Sequence, residues 1–320
     1  MVGLVAGVLV GLTLLLVAGD MLVRGAVGLA TALKIPALLV GLTIVAFGTS
    51  APELVVSIQS VLNGNPGIAI GNIIGSNIAN ILLVLGLPAI VYPIATHVAG
   101  LRRHVVIMLV ATTVFMAFAY VNGAIDRTAG VSLFAGILAF ITYMAFRAAA
   151  AQGDDPVLDD VAEYTEGVDG FSMKLTAFLI AGLIGLPFGA HLLVENGAQL
   201  ASMWGVRDEV IGLTIVAFGT SLPELATVIA AALQKKSDVA IGNIIGSNIF
   251  NILAVGGVTG LVGTAPFDQA SLQLDIPVMA AASVIVAFFV FTRRDIGRIP
   301  GALMFAGYLA FVALLASKAL

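Results

Sequence analysis

Residues 41–54 read Gly-Leu-Thr-Ile-Val-Ala-Phe-Gly-Thr-Ser-Ala-Pro-Glu-Leu, which sets a carboxylic acid, a proline and neighbouring hydroxyls inside an apolar run. Residues 212–225 repeat the stretch with one change, Leu222 in place of Ala51. A charged side chain at the centre of a membrane helix costs about 2.5–3.5 kcal/mol on the mildest scale. A fold that accepts this cost twice, in the same polar setting, has to use it. Two acids among hydroxyl oxygens at related positions point to a cation site built on an internal two-fold axis.

The composition places these stretches in a bilayer. The 320 residues are 60% hydrophobic and 10% charged, against about 25% charged in soluble domains. The chain has no cysteine, which excludes disulfides and thiolate metal sites. It has no polybasic arm or basic aromatic stripe, which argues against nucleic acid as a partner. The first apolar run has no positively charged leader, so it is read as a retained helix and not as a signal peptide.

About 20 apolar residues span a bilayer core as a helix. Ten segments qualify: 3–24, 36–62, 67–92, 103–121, 127–147, 173–199, 208–234, 238–264, 272–292 and 299–317. The stretch 148–171 divides them five and five; it carries seven acids, from Asp154 to Asp169, and no lysine or arginine. The halves, 1–147 and 172–320, match at an offset of 171, with 28 identities in the 42 positions from Gly41 to Leu82. Internal duplication is a mark of secondary-transporter folds. Five helices is an odd number, so the second half must enter from the opposite face, and the repeat is inverted. The expected fold is therefore an all-α membrane protein of ten helices in two inverted five-helix repeats.

Basic residues set the orientation under the positive-inside rule. With the amino terminus outside, eleven of the 14 lysines and arginines fall on the cytoplasmic side; Arg127, Arg207 and Lys318 do not. Both termini are then outside the cell membrane and the 148–171 loop is cytoplasmic. That loop is read as solvated, since its acids lack the spacing of a known calcium loop.

Pro52 and Pro223 lack an amide hydrogen, and Gly48 and Gly219 weaken the helix just before them. Together they predict a break at mid-membrane in the second and seventh segments. Such a break is tolerated only inside protein or beside a wet cavity. It would free carbonyl oxygens around Ala46 and Ala217, to which Thr49, Ser50, Thr220, Ser221, Glu53 and Glu224 add side-chain oxygens. Hard oxygens suit Na⁺ and Ca²⁺ rather than zinc or copper. The segments that follow share Ala-Ile-Gly-Asn-Ile-Ile-Gly-Ser-Asn-Ile, unaltered between residues 69–78 and 240–249. Ser76 and Asn80, four apart, share a helix face, as do Ser247 and Asn251. Asn72, Asn77, Asn243 and Asn248 are read as bracing the backbone. Gly71, Gly75, Gly242 and Gly246 allow close helix approach.

Two ionised glutamates balance one Ca²⁺ or two Na⁺, so the two ions compete for the same oxygens, and competition at one alternating site is exchange. A third Na⁺ held by neutral oxygens would make transport sensitive to voltage. Protons compete for the same carboxylates, so low pH is expected to inhibit.

The Gly-Thr-Ser-x-Pro-Glu and Gly-Asn-x-x-Gly-Ser-Asn motifs, each present twice, resemble the two alpha repeats of the cation/calcium exchanger superfamily, and prokaryotic sodium/calcium exchangers most of all. The resemblance spans essentially the whole chain. It implies ten helices, of which the first and sixth slide over a static core. It also implies ion ligands at Ala46, Thr49, Ser50, Glu53, Ser76 and Asn80, and at Ala217, Thr220, Ser221, Glu224, Ser247 and Asn251. Some relatives carry aspartate at the position of Asn251, and in the potassium-dependent branch that acid is tied to K⁺; Asn251 favours K⁺-independent exchange. The proton/calcium branch has an acid in its second motif, which is missing here.

The expected function is electrogenic, K⁺-independent exchange of Na⁺ for Ca²⁺ by a monomer. The transported ions are substrates, and no separate cofactor is expected. The alternatives are H⁺/Ca²⁺ exchange, K⁺-dependent Na⁺/Ca²⁺ exchange, or a cation channel. An intramembrane serine hydrolase is disfavoured, because no histidine falls in either repeat block to act as a base and Gly-x-Ser-x-Gly is absent. No enzymatic role is expected. His97 and His104 are read as interfacial, and Asp20 and Arg24 as a local ion pair near the cytoplasmic end of the first helix.

Overall fold

The computed structural model describes residues 1–33, 35–150, 173–204 and 219–318. Their regular structure is helical apart from one two-residue ladder. In chain order the helices are α1 (Val2–Leu33), α2 (Ala37–Thr49), α3 (Ala51–Leu62), α4 (Pro66–Val91), α5 (Leu101–Asn122), α6 (Arg127–Ala150), α7 (Met173–Met203), α8 (Leu222–Leu233), α9 (Ser237–Val262), α10 (Ser271–Thr292) and α11 (Arg298–Lys318). Eight are long and apolar enough to cross a membrane, and α2 with α3 forms a ninth if the bent pair is one span. The protein is a multi-pass membrane protein. Of the expected seventh span, 208–234, only the second half lies within the described residues, as α8. The acidic stretch between α6 and α7 lies outside them.

Proline sets several of these boundaries. α1 runs on past Arg24, its expected end, to Leu33 and stops before Ile35-Pro36, because a residue preceding proline is pushed out of the helical region. Asp20 and Arg24 are therefore well inside α1 and not near its end. Between α2 and α3 the chain bends by 41° at Ser50, whose φ and ψ are −86° and 4°. Pro52 stands at the start of α3, where its missing amide hydrogen leaves no bond unmade. Ser221 precedes α8 with nearly the same angles, −85° and 2°, and Pro223 takes the place of Pro52.

α4 and α9 form the centre. In their most apolar stretches 83% and 94% of residues are buried, against 17–39% in the other six long helices. α9 lies close to α2: a Cβ on Gly246 would sit 2.6 Å from the Leu42 carbonyl oxygen and 2.7 Å from the Ala46 Cβ. At the edge of this core, α1 and α7 pack along a glycine seam. A Cβ on Gly11 would come 2.7 Å from the Leu193 nitrogen, and one on Gly182 would come 2.6 Å from the Leu22 Cβ.

Two short backbone contacts join the halves. Ile94 bridges Ile296 in antiparallel fashion. β1 (Ala124–Ile125) pairs antiparallel with β2 (Ala265–Pro266), placing Ile125 opposite Ala265. His104 departs from its expected interfacial position, being buried against the rings of Phe140 and Tyr143.

Candidate functional site

The break at Ser50 turns the end of α2 and the start of α3 toward the middle of α9. Thr49 is fully buried, with its hydroxyl 3.2 Å from Asn243 Oδ1, 3.4 Å from Ser247 Oγ and 3.3 Å from the Ala46 carbonyl. The Ser50 hydroxyl donates to Glu224 Oε1 at 3.2 Å. All of these contacts except that to Ala46 join a motif residue of the first half to one of the second. Glu53 and Glu224 lie in the first turns of α3 and α8. They are buried, and close enough to act on each other electrostatically, with the Thr220 hydroxyl beside Glu53.

α4 and α9 supply the opposite wall. Asn80 and Asn251 each open a π turn, Asn80–Leu85 and Asn251–Val255, a helix distortion that gathers at functional sites. Asn80 Nδ2 donates to Asn248 Oδ1 at 3.0 Å, and Asn251 Nδ2 donates to Ser76 Oγ at 3.0 Å. Ser76 in turn donates to the Asn72 carbonyl at 2.7 Å. Asn72 braces the break itself: its Nδ2 donates to the Glu53 carbonyl and to Ser57 Oγ, each at 2.9 Å.

With these bonds made, a set of oxygens is left over. Glu53 Oε1 and Oε2, Glu224 Oε2, Asn80 Oδ1, Asn251 Oδ1 and Ser221 Oγ are all buried and find no hydrogen-bond partner among the described residues. No lysine, arginine or histidine among those residues makes an ion pair with either glutamate. A buried polar atom without a partner costs about 1–3 kcal/mol, and a charged one more. So many together, nearly all acceptors, favour a positive charge among them. The oxygens are hard, and only two of the groups are acids; this suits Ca²⁺ or Na⁺.

Eleven of the twelve expected ligand residues are described: contacts join Thr49 to Ala46 and Ser247, Ser50 to Glu224, Glu53 to Glu224 and Thr220, and Ser76 to Asn251, while Asn80 pairs with Asn248 and the Ser221 hydroxyl has no partner among the described residues; Ala217 lies outside them. One detail differs from expectation. The break does not free the Ala46 carbonyl, which accepts the Ser50 amide at 3.0 Å as well as the Thr49 hydroxyl. Backbone bonding stays helical up to Ser50, because Pro52 removes an amide further along. The cross-half contacts of Asn243 and Asn248 exceed the bracing role expected of them. Their identity with Asn72 and Asn77 at the repeat offset was the signal in the sequence, but partner choice is not encoded there.

Comparison with known proteins addresses the same features. The model of the sodium/calcium exchanger protein family matches residues 3–150 and 174–316. The chain belongs to that family. A putative antiporter, CaxA, of Alkalimonas amylolytica is 38% identical over 315 residues, covering 97% of this chain and 98% of its own. The sodium/calcium exchanger MaX1 of Methanosarcina acetivorans is 33% identical, covering 96% and 97%. A solved structure of the sodium-calcium exchanger NCX_Mj, soaked with Na⁺ and Ca²⁺, superposes with a TM-score of 0.83 at 32% identity over 98% of both chains. Membership in this family makes cation/calcium exchange across a membrane the activity to be refined.

Proposed function

We propose that the protein exchanges Na⁺ for Ca²⁺ by alternating access at one central pocket, electrogenically and without K⁺. The observation that carries this reading is the set of buried oxygens without partners among the described residues, which includes those of two neighbouring carboxylates. Glu53 and Glu224 hold the ion charge. Thr49, Ser50, Ser76 and Asn80 complete the first half of the shell, and Thr220, Ser221, Ser247 and Asn251 the second. The carbonyl of Ala46 joins when the Thr49 hydroxyl turns from it to the ion, and the carbonyl of Ala217 completes the second half.

The two backbone bridges support inverted repeats, 1–147 and 172–320. Adding 171 to Ile94 gives Ala265, and adding 171 to Ile125 gives Ile296. The Ile94–Ile296 contact therefore maps onto the Ala265–Ile125 contact. The loop after α4 meets the loop before α11, not its own counterpart after α9. Parallel repeats would put each loop on the face of its counterpart; inverted repeats give the pairing seen. The first bridge also gathers Arg102, Arg103, Arg293, Arg294 and Arg298 on one face, with Arg102 donating to the Phe291 carbonyl at 2.8 Å. That face is assigned to the cytoplasm, with both termini outside and 148–171 within. The glycine seam packs α1 and α7 tightly against each other, which suits the pair to move as one unit past the core.

Reconstitution tests the reading. Na⁺-loaded proteoliposomes should take up ⁴⁵Ca²⁺ and lose it when the Na⁺ gradient is collapsed. Glu53→Gln and Glu224→Gln should each cut the rate at least about 100-fold, as removal of a buried charge partner does. Uptake driven by a pH gradient alone would instead assign the coupling to protons, and uptake with no gradient would assign a channel.

A further inference from the structure

Asn77 and Asn248 are outside the proposed ion shell, yet both are buried beside it and each is the other's counterpart at the repeat offset, 77 plus 171 being 248. They also meet, with Asn248 Nδ2 3.5 Å from the Asn77 carbonyl oxygen. Their bonding is not alike. Asn248 Oδ1 accepts the Asn80 amide across the repeat boundary at 3.0 Å. Its counterpart contact, Asn251 to Asn77, is not made. Asn251 donates to Ser76 Oγ at 3.0 Å, and Asn77 turns its own amide to the Ile73 carbonyl at 2.7 Å. Asn77 Oδ1 is left buried without a partner among the described residues.

The difference falls on the ion shell. An asparagine whose Nδ2 is held has its Oδ1 directed the other way, since the two atoms share one planar amide. Asn248 thus aims Asn80 Oδ1 without using any proposed ligand oxygen. Asn251, lacking Asn77, is held by Ser76 Oγ, which is itself a proposed ligand. The first-half amide is positioned at no cost to the shell, while the second-half amide occupies one of its oxygens.

Alternating access moves one bundle against another around a fixed site, and with inverted repeats the surroundings of the two halves of that site are exchanged when it changes the face it opens to. A contact made twice under the offset, such as the two backbone bridges, persists through the cycle; one made once belongs to a single state. We propose that Asn77 and Asn248 are alternating positioning residues. Asn248 orients Asn80 in the state described here, and Asn77 orients Asn251, releasing Ser76, in the oppositely facing state. This rests on the exchange reading above and adds to it two residues and a rule for when each acts.

The test uses the full chain in proteoliposomes, with the half-saturating Ca²⁺ concentration measured separately on each face. Because the protein has no cysteine, Ser317→Cys near the carboxyl terminus reports vesicle orientation through a membrane-impermeant thiol label. Asn248→Leu should raise the half-saturating concentration about three- to tenfold on one face, the loss of a single buried hydrogen bond, and less than about twofold on the other. Asn77→Leu should show the reverse assignment of faces. In an Asn80→Ala background Asn248→Leu should add nothing, because its effect runs through that amide. Should the leucine variant fail to fold by gel filtration, Asn248→Ser is too short to reach Asn80 and gives the same readings. Equal shifts on both faces, shifts on the same face for both residues, no shift, or additivity with Asn80→Ala would each overturn the proposal. If Glu53→Gln keeps normal exchange, the site reading itself fails and takes this inference with it. If Glu53→Gln abolishes exchange while the asparagine variants leave both faces unchanged, only the inference fails.

Discussion

Glu53 and Glu224 stand in the first turns of α3 and α8, where the helix dipole favours negative charge. This helps to explain how two acids are kept in an interior that has no basic partner among the described residues. The dipole ends are matched, but the side-chain bonds are not. Ser50 donates to Glu224 Oε1 at 3.2 Å, whereas both oxygens of Glu53 lack a partner among the described residues. Glu53 is therefore the more available of the two for an incoming ion, and Ser50 must let go of Glu224 when its own oxygen is needed. Removing that hydroxyl frees Glu224 but deletes a ligand. Ser50→Ala is expected to weaken Ca²⁺ about threefold or somewhat more, the scale of one hydrogen bond within a membrane protein. Equilibrium ⁴⁵Ca²⁺ binding in detergent would measure it, and tighter binding would show that Ser50 serves Glu224 and not the ion.

At the scale of the helix, the site depends on how closely α2 and α9 approach. Gly246 permits this, and its Cβ would meet the Leu42 carbonyl at 2.6 Å and the Ala46 Cβ at 2.7 Å. Backbone has little room to give, so Gly246→Ala should destabilise the protein by about 1–3 kcal/mol. By moving Ala46 and Thr49 away from Ser247 it should also slow exchange more than it lowers the melting temperature; unchanged transport would place the shell elsewhere. The packing of Gly242 and Gly246 was legible from their spacing by four on an apolar helix, but the same reading of Gly71 and Gly75 is not borne out among the described residues, where a Cβ on either would meet nothing within 4 Å. The paired acids and the prolines were legible because each is costly in a membrane unless it is used, and the offset of 171 was legible from the identities between residues 41–82 and 212–253. The π turns opening at Asn80 and Asn251 were not, since one extra residue in a turn leaves no periodic trace in a continuously apolar run. The reach of α1 to Leu33 was missed because Arg24 looked like an interface residue. In fact its guanidinium is held by Asp20 at 2.8 Å, and Asp20 also accepts Gln234 Nε2 at 2.8 Å, fixing both against the end of α8.

For the molecule as a whole, the count of charges decides how transport couples to voltage. The proposed shell holds two carboxylates and, at Asn251, an amide where some relatives of the superfamily carry an acid. With Ca²⁺ bound its net charge is zero; with three Na⁺ bound it is plus one. Outward movement of three Na⁺ against inward movement of one Ca²⁺ carries one positive charge out, worth about 2.3 kcal/mol per 100 mV. An inside-positive potential should therefore speed Ca²⁺ uptake by Na⁺-loaded vesicles. Such a potential can be set by valinomycin with K⁺ outside and little within. The control with K⁺ but no valinomycin separates voltage from K⁺ itself, and replacing K⁺ by choline in that control should leave the rate unchanged. Equal rates with and without valinomycin would mean two Na⁺ per Ca²⁺ and a shell that is neutral in both states. A loss of uptake in choline would mean that an amide at 251 does not exclude a role for K⁺, and that the third positive charge is supplied by a different ion.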